Sequence, residues 1–268
     1  MSRPTLGLAL GGGAVLGYAH LGLLEVLEEE GIRADLVAGT SAGALVAALY
    51  AFDVPVARIR ELLIPLTWRK VSGFSRTSLG LLSNGSIGRV LANELGEVDI
   101  GDAVRPLAVV AADIHTGDAV VLREGPLGDA VRASAAIPGI STPVPIGGRL
   151  LVDGGIVANV PVGPLRESGA EVVVAATLGE ALDFQPVRTL LGVLTNAFLI
   201  AVNTATRLDL RSGAADVLVE PQLEVYNHWD LRQWDHLIAK GREATIAALP
   251  ASATRWTALR KPAENGAR

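Results

Sequence analysis

Three short motifs carry residue types suited to acyl transfer. Gly39-Thr40-Ser41-Ala42-Gly43 has the form G-x-S-x-G. That is the pattern of a nucleophile on a sharp turn between a strand and a helix, where neighbours two residues away must lack side chains. Such a turn aims a serine hydroxyl and a helix N-terminus at one point, which favours negative charge developing there. Gly11-Gly12-Gly13 ends an apolar run from Thr5 to Leu10, and bare backbone N–H groups in such a loop can hold an oxyanion or a phosphate. Asp153-Gly154-Gly155 follows the strand-like run Arg149 to Val152, where a carboxylate beside two glycines can approach a partner closely. Together they read as an oxyanion loop, a nucleophile and a carboxylate, each at a strand end. Each also has a plain structural reading. Ser41 could cap the helix starting at Ala42, the glycine triplet could be a tight turn, and Asp153-Gly154 could be a hairpin turn.

The glycine triplet fits nucleotide binding poorly. A P-loop needs Lys followed by Ser or Thr after its last glycine, and Tyr18-Ala19 follow Gly17. The dinucleotide fingerprint fails from Gly11, where Leu16 takes the third glycine place, and from Gly12, where Ala14 takes the second. The histidines (His20, His115, His228 and His236) show no ligand spacing and Cys is absent, so no metal site and no disulfide framework is expected. His228 and His236 do lie beyond Asp153, the chain order of a Ser-Asp-His triad. Against a triad, Ser41 follows only the second strand, whereas the usual elbow comes much later. His228 and His236 are therefore expected on the surface or in packing, and His20 as a hydrogen-bonded structural residue of the first helix. His115 sits in a turn and carries no signal.

The elements that must position these residues follow from hydrophobic spacing. Thr5 to Leu10 reads as a buried strand, and helical spacing runs from Tyr18 to Glu30 with Gly31 as its stop. Asp35 to Ala38 reads as a second strand and Ala42 to Tyr50 as a small-residue helix. Further strand-like runs are Leu107 to Ala112, Ala119 to Leu122, Arg149 to Val152, Glu171 to Ala176 and Asp216 to Val219. Helical patterns between several of them favour an α/β sheet wrapped by helices. Ala119 to Leu122 follows a His-Thr-Gly-Asp turn and is expected to run antiparallel to its neighbour. The stretch 58–93 mixes apolar residues with Arg60, Arg69, Lys70 and Arg76, as a helical hairpin or cap would, and such a cap could meet an anionic membrane surface or cover an acyl channel. The uncharged run from Thr189 to Thr206 contains Asn196, Asn203 and several threonines, so a buried or interface helix is expected rather than a membrane span.

The motifs in this order and spacing resemble those of the bacterial patatin-like phospholipases, which are related to plant patatins, cytosolic phospholipase A2 and the neuropathy target esterase. The matching residues are Gly-Leu-Ala-Leu-Gly-Gly-Gly at 7–13 with Gly17 and His20-Leu21-Gly22, then Gly39-Thr40-Ser41-Ala42-Gly43. They continue with Ala112-Asp113, Thr116-Gly117, Ala133-Ser134-Ala135-Ala136-Ile137-Pro138, and Asp153-Gly154-Gly155 with Asn159 and Pro161. The similarity runs from about Thr5 to Pro221.

The resemblance implies a three-layer α/β/α sandwich with a mostly parallel central sheet, as one domain over 1–250. The stretch 58–93 would form a cap within it and 251–268 a tail. It implies a lipid acyl hydrolase, of the phospholipase A or esterase kind, that works through a Ser–Asp dyad without histidine and releases a fatty acid from an acyl-enzyme. Ser41 would be the nucleophile and Asp153 its base. Gly11, Gly12, Gly13 and Ala42 would form the oxyanion hole, supported by Gly39, Gly43, Gly154 and Gly155, with no cofactor. Two positions depart from the family pattern: Leu16 stands where Arg or Lys is usual and Ala14 where glycine is common. Rival readings are a lipid-binding or regulatory protein that kept the fold and lost the reaction, and a Ser-Asp-His esterase.

Composition bounds the partners. With half of its residues hydrophobic and 19% charged, the chain of 268 residues has apolar surface enough for one sizeable core. Its net charge of −5 argues against nucleic acid, which needs a basic face. The glycines within Thr5 to Leu16 suit a turn better than the helix of a signal peptide. The expected partners are a lipid or other acyl ester and, peripherally, a membrane. A homo-oligomer through the uncharged helix and a cytoplasmic or membrane-associated location complete the expectation.

Overall fold

Strand β1 (Leu6–Leu10) sets the pattern of the sheet. Leu6, Leu8 and Leu10 turn to one face and Ala9 to the other, and all are buried. A strand covered on both faces reads as an unbroken apolar run, as this one does. The computed structural model describes residues 3–66, 73–74, 79, 82–179, 188–211 and 215–251.

After β1 come a 3-10 turn (Ala14–Tyr18), α1 (Ala19–Glu29), β2 (Leu36–Thr40), α2 (Ala42–Ala51) and α3 (Val56–Leu63). A short hairpin, β3 (Gly73–Phe74) and β4 (Leu82–Ser83), precedes α4 (Gly85–Leu95). The chain then forms β5 (Leu107–Asp113), β6 (Ala119–Leu122), α5 (Leu127–Ser134), β7 (Val144–Ile146) and β8 (Arg149–Asp153). A 3-10 turn (Gly154–Ile156), α6 (Val162–Glu167), β9 (Val172–Ala176), α7 (Leu190–Arg211), β10 (Val217–Val219) and α8 (Trp234–Ala251) complete it.

The main sheet runs β10-β9-β1-β2-β5-β8-β7, with β6 also paired to β5. From β10 to β5 every pairing is parallel. β6 and β8 both pair antiparallel with β5, and β7 with β8. β6 runs antiparallel because Asp113 to Asp118 forms a tight turn that reverses the chain at once, with no room for a crossover helix.

Two apolar layers sandwich the sheet. On one face Leu8, Leu10, Val37, Val109 and Val174 meet Leu21 and Leu24 of α1, Ala47 of α2, Ile59 of α3 and Leu237 of α8. On the other, Ala9, Ala38, Ala108 and Ala175 meet Val162 and Leu165 of α6. The small residues on this second face let α6 lie close. The result is a three-layer α/β/α sandwich with a mostly parallel sheet. Truncating a core leucine such as Leu8 or Leu10, both with no exposed surface, costs about 2–5 kcal/mol.

The stretch 58–93 holds part of α3, the hairpin and α4, and α3 belongs to the main core through Ile59 and Leu63. Arg69, Lys70 and Arg76 lie outside the described residues, as do residues 252–268 of the expected tail. Helix α7, expected to be buried or at an interface, buries Val202, Asn203, Ala205 and Thr206 and leaves Leu190, Val193, Leu194, Ile200 and Leu208 exposed.

Candidate active site

The chain leaves β2 and enters α2 through Ser41, whose backbone takes φ 54° and ψ −122°. That positive φ is strained for a residue with a side chain, and its neighbours explain how it is held. A Cβ on Gly39 would lie 2.5 Å from the Gly43 carbonyl oxygen, and one on Gly43 would lie 2.6 Å from that of Gly11. Both positions therefore exclude side chains for packing reasons. The Ser41 N–H donates to Ser134 Oγ at 2.8 Å, and Ser134 Oγ–H donates to the Val110 carbonyl at 2.5 Å. Ser134, at the end of α5, thus ties the strained turn to β5.

Ser41 Oγ makes no capping bond to α2. Its hydroxyl donates instead to Asp153 Oδ2 at 2.7 Å, across 112 residues of sequence. Asp153 sits at the end of β8, which pairs with β5, so one strand supports both residues. After Asp153 the chain enters a 3-10 turn, not a hairpin. The Gly155 N–H donates to Asp153 Oδ1 at 2.9 Å, and Gly154 packs its bare Cα against the Val110 carbonyl. Asp153 is 1% exposed. Burial pushes its carboxyl up to about 7, against the opposing pull of the Ser41 hydroxyl and the Gly155 amide.

The glycine loop packs beside this pair. The Gly11 N–H donates to the Ala176 carbonyl at 3.0 Å, extending the β1–β9 pairing. The Gly12 N–H is shared between the Asn159 backbone oxygen at 3.3 Å and its Oδ1 at 3.1 Å. Asn159 Nδ2 donates to Thr206 Oγ1 at 2.8 Å, so α7 braces the loop through Asn159. Among the described residues, the N–H groups of Gly13 and Ala14 have no protein acceptor. Of the glycines assigned to an oxyanion hole by resemblance, Gly11 and Gly12 thus have their amides engaged by the fold. Ala14 carries a positive φ of 50°, the conformation that explains why glycine is common at this place. Leu16, standing where a basic residue is usual, is 1% exposed and packs in the main core.

The histidines are placed as follows. His20 is buried and donates from Nε2 to the Gly11 carbonyl at 2.8 Å. Burial lowers its pKa to about 4, so it is a neutral brace for the glycine loop. His236 is exposed on α8, its side chain 69% accessible, and His115 follows β5 in the Asp113 to Asp118 turn. His228 reaches the recess that holds Ser41 and Asp153, and its carbonyl accepts the Val15 N–H at 3.2 Å. Burial also lowers its pKa. The Asp153 carboxylate is engaged by Ser41 and Gly155, with no histidine bonded to it among the described residues. Those residues also contain no cluster of three or more acids and histidines able to hold a metal.

Ser41 opens onto an apolar cavity of about 180 Å³, whose walls include Tyr18, Leu45, Leu63, Ile87, Ile140 and Trp229. Tyr18 presents its ring there while its hydroxyl donates to the Leu63 carbonyl at 2.9 Å. Burial raises that phenol to about 12, so it stays protonated. Apolar walls beside a nucleophile suit a hydrocarbon chain. Ser134 and Asn159 carry no role legible from sequence. Each lies in a matching motif, but its partner is distant in the chain.

Residues 8–166 match a family profile described as patatin-like phospholipase. An NTE family protein of Mycobacterium tuberculosis is 35% identical over 192 residues, covering 69% of this chain and 53% of that protein. Lysophospholipase NTE1 of Candida glabrata is 32% identical over 209 residues, covering 76% of this chain and 12% of that protein. The chain spans about half the length of the mycobacterial relatives it matches. VipD from Legionella pneumophila has the same fold, with a TM-score of 0.59 at 14% identity over 93% of this chain and 67% of that one. By its profile match and its relatives, this chain belongs to the patatin-like phospholipase family.

Proposed function

We propose that this chain is a lipid acyl hydrolase that cleaves carboxylic esters with Ser41 and Asp153 alone. The observation that carries this is the 2.7 Å bond from Ser41 Oγ to a buried carboxylate that no histidine shares among the described residues. In the reaction Ser41 Oγ attacks the ester carbonyl as its proton passes to Asp153. An ordinary carboxylate is too weak a base for this, and burial moves Asp153 closer to the basicity needed. The carbonyl oxygen gains negative charge, to be met by the free amides of Gly13 and Ala14 and by Ala42 at the N-terminus of α2. Asp153 returns the proton to the leaving alcohol, leaving an acyl-Ser41 ester. Water, deprotonated by Asp153, releases the acid and restores the hydroxyl.

The apolar cavity beside Ser41 supports a fatty acyl chain as the group transferred. Family membership and the lysophospholipase name of one relative support a lipid as its source. Labelling with a fluorophosphonate, followed by peptide mass analysis, tests the proposal. The label is expected on Ser41 and absent from Ser41→Ala. A protein that resists the label while folded would be a lipid-binding relative rather than an enzyme.

A further inference from the structure

Helix α7 presents an apolar stripe outward, where a soluble domain ordinarily places charge. Successive helical residues are about 100° apart, so Leu190, Val193, Leu194, Ala197, Ile200, Ala201 and Leu208 fall within a sector about 120° wide. Leu190 is 76% exposed, Ile200 53% and Leu208 63%. Of the buried residues, Val202, Asn203 and Thr206 occupy the opposite side and Ala205 borders the stripe on its Leu194 edge. The stripe therefore runs most of a helix 22 residues long, about 33 Å at 1.5 Å per residue.

We propose that this stripe docks the protein flat on an anionic lipid bilayer. Charge and position both point to that occupant. Arg188 precedes the helix and Arg207 and Arg211 lie in its last turns, whereas its single acid, Asp209, turns inward to accept the Val160 N–H at 3.0 Å. An acidic chain of net charge −5 thus offers a locally basic, apolar ridge, the pattern of an interfacial helix. A second copy set against the same ridge would bring like charges together. The helix is long and apolar enough to cross a membrane, but Asn203, Thr206 and Asp209 hold it against the domain, so it lies along the surface.

Continuity with the site adds a second argument. The inner side of α7 supplies Phe198, Leu199 and Val202 to the recess containing Ser41 and Asp153. Another wall comes from the loop with His228 and Trp229, and Val225 on that loop is 87% exposed. A bilayer against the outer side of α7 would thus be separated from the recess by that one helix. The inference rests on the lipid-hydrolase reading for its purpose, though not for its test.

The test is co-sedimentation with phosphatidylcholine vesicles, with and without phosphatidylglycerol, using wild type, Ser41→Ala, Val193→Glu/Ile200→Glu and Arg207→Gln/Arg211→Gln. Wild type and Ser41→Ala are expected to pellet with the mixed vesicles, and the Glu pair to bind at least about tenfold less. The Gln pair is expected to lose about tenfold or more on mixed vesicles and little on phosphatidylcholine alone. Both pairs are expected to keep the circular-dichroism spectrum and cooperative melt of wild type, which shows that they fold. Because pelleting needs no turnover, docking and hydrolysis fail separately. No pelleting by wild type, or equal pelleting by the Glu pair, overturns the proposal. So does a dimer by light scattering that the Glu pair dissociates.

Discussion

Ser41 Oγ and Asp153 Oδ2 lie 2.7 Å apart although the residues are 112 positions apart in the chain, and β5 holds both. Ser134 fixes the nucleophile to the Val110 carbonyl of β5, while Asp153 pairs with Ala111 of the same strand. Relative motion of the two functional groups is restricted because one strand carries both supports.

The first consequence is a pH profile. Asp153 accepts the proton only when ionised, and burial sets its pKa at about 7. Turnover should therefore rise with pH through a single midpoint near 7 and level off above it. Initial rates on a soluble ester between pH 5 and 9 check this. A profile already flat at pH 5 would mean that Asp153 titrates as an ordinary carboxylate.

Stability should run the opposite way. The folded state holds the Asp153 proton more tightly than the unfolded state, whose carboxyl titrates near 3.8. Folding stability from this group is thus greatest below the unfolded value and is lost as pH rises towards about 7. Asp153→Asn removes the titration. Thermal melts should show the variant gaining on wild type between pH 4 and 7, with a constant difference above that. Parallel curves would contradict the assigned burial.

Ser134→Ala leaves two buried backbone groups, Ser41 N–H and Val110 C=O, without their partner. Each unsatisfied group costs about 1–3 kcal/mol. The melting temperature should fall, and kcat should fall by roughly tenfold or more with KM little changed, because the acyl cavity is untouched. A loss confined to KM would mean that Ser134 does not orient the nucleophile.

The elbow glycines should be far less replaceable than a helix glycine. Gly43→Ala would force a methyl to 2.6 Å from the Gly11 carbonyl, and loss of soluble folded protein is expected. Gly128→Ala in α5 meets nothing nearer than the Gly88 Cα at 3.5 Å and should stabilise by about 0.4–1 kcal/mol by restricting the unfolded chain. Expression and denaturant melts of the two variants provide the comparison.

The sequence revealed those parts of the site that depend on local pattern. The strand–glycine–helix rhythm around Ser41 and Gly11 fixed β1, α1, β2 and α2 to within a few residues, because apolar spacing and glycine breaks are local signals. Antiparallel pairing of Ala119–Leu122 followed from its short turn. Contacts made across the chain were not legible. Nothing near Gly12 tells that Asn159 engages its amide, and nothing near Ser41 names Ser134 as its acceptor. The uncharged run within α7 suggested burial or an interface without choosing, since composition alone does not distinguish a face turned inward from one turned to a partner. Strand β7 went unnoticed because Val144–Ile146 is three residues long and carries a proline.

The most direct test is hydrolysis of p-nitrophenyl esters by wild type, Ser41→Ala, Asp153→Asn and the His228→Ala/His236→Ala double variant. The dyad predicts roughly a thousandfold loss or more for Ser41→Ala and for Asp153→Asn, with the folded histidine variant keeping most of its turnover. Loss of activity in that histidine variant, with its fold intact, would contradict a Ser41–Asp153 pair working alone.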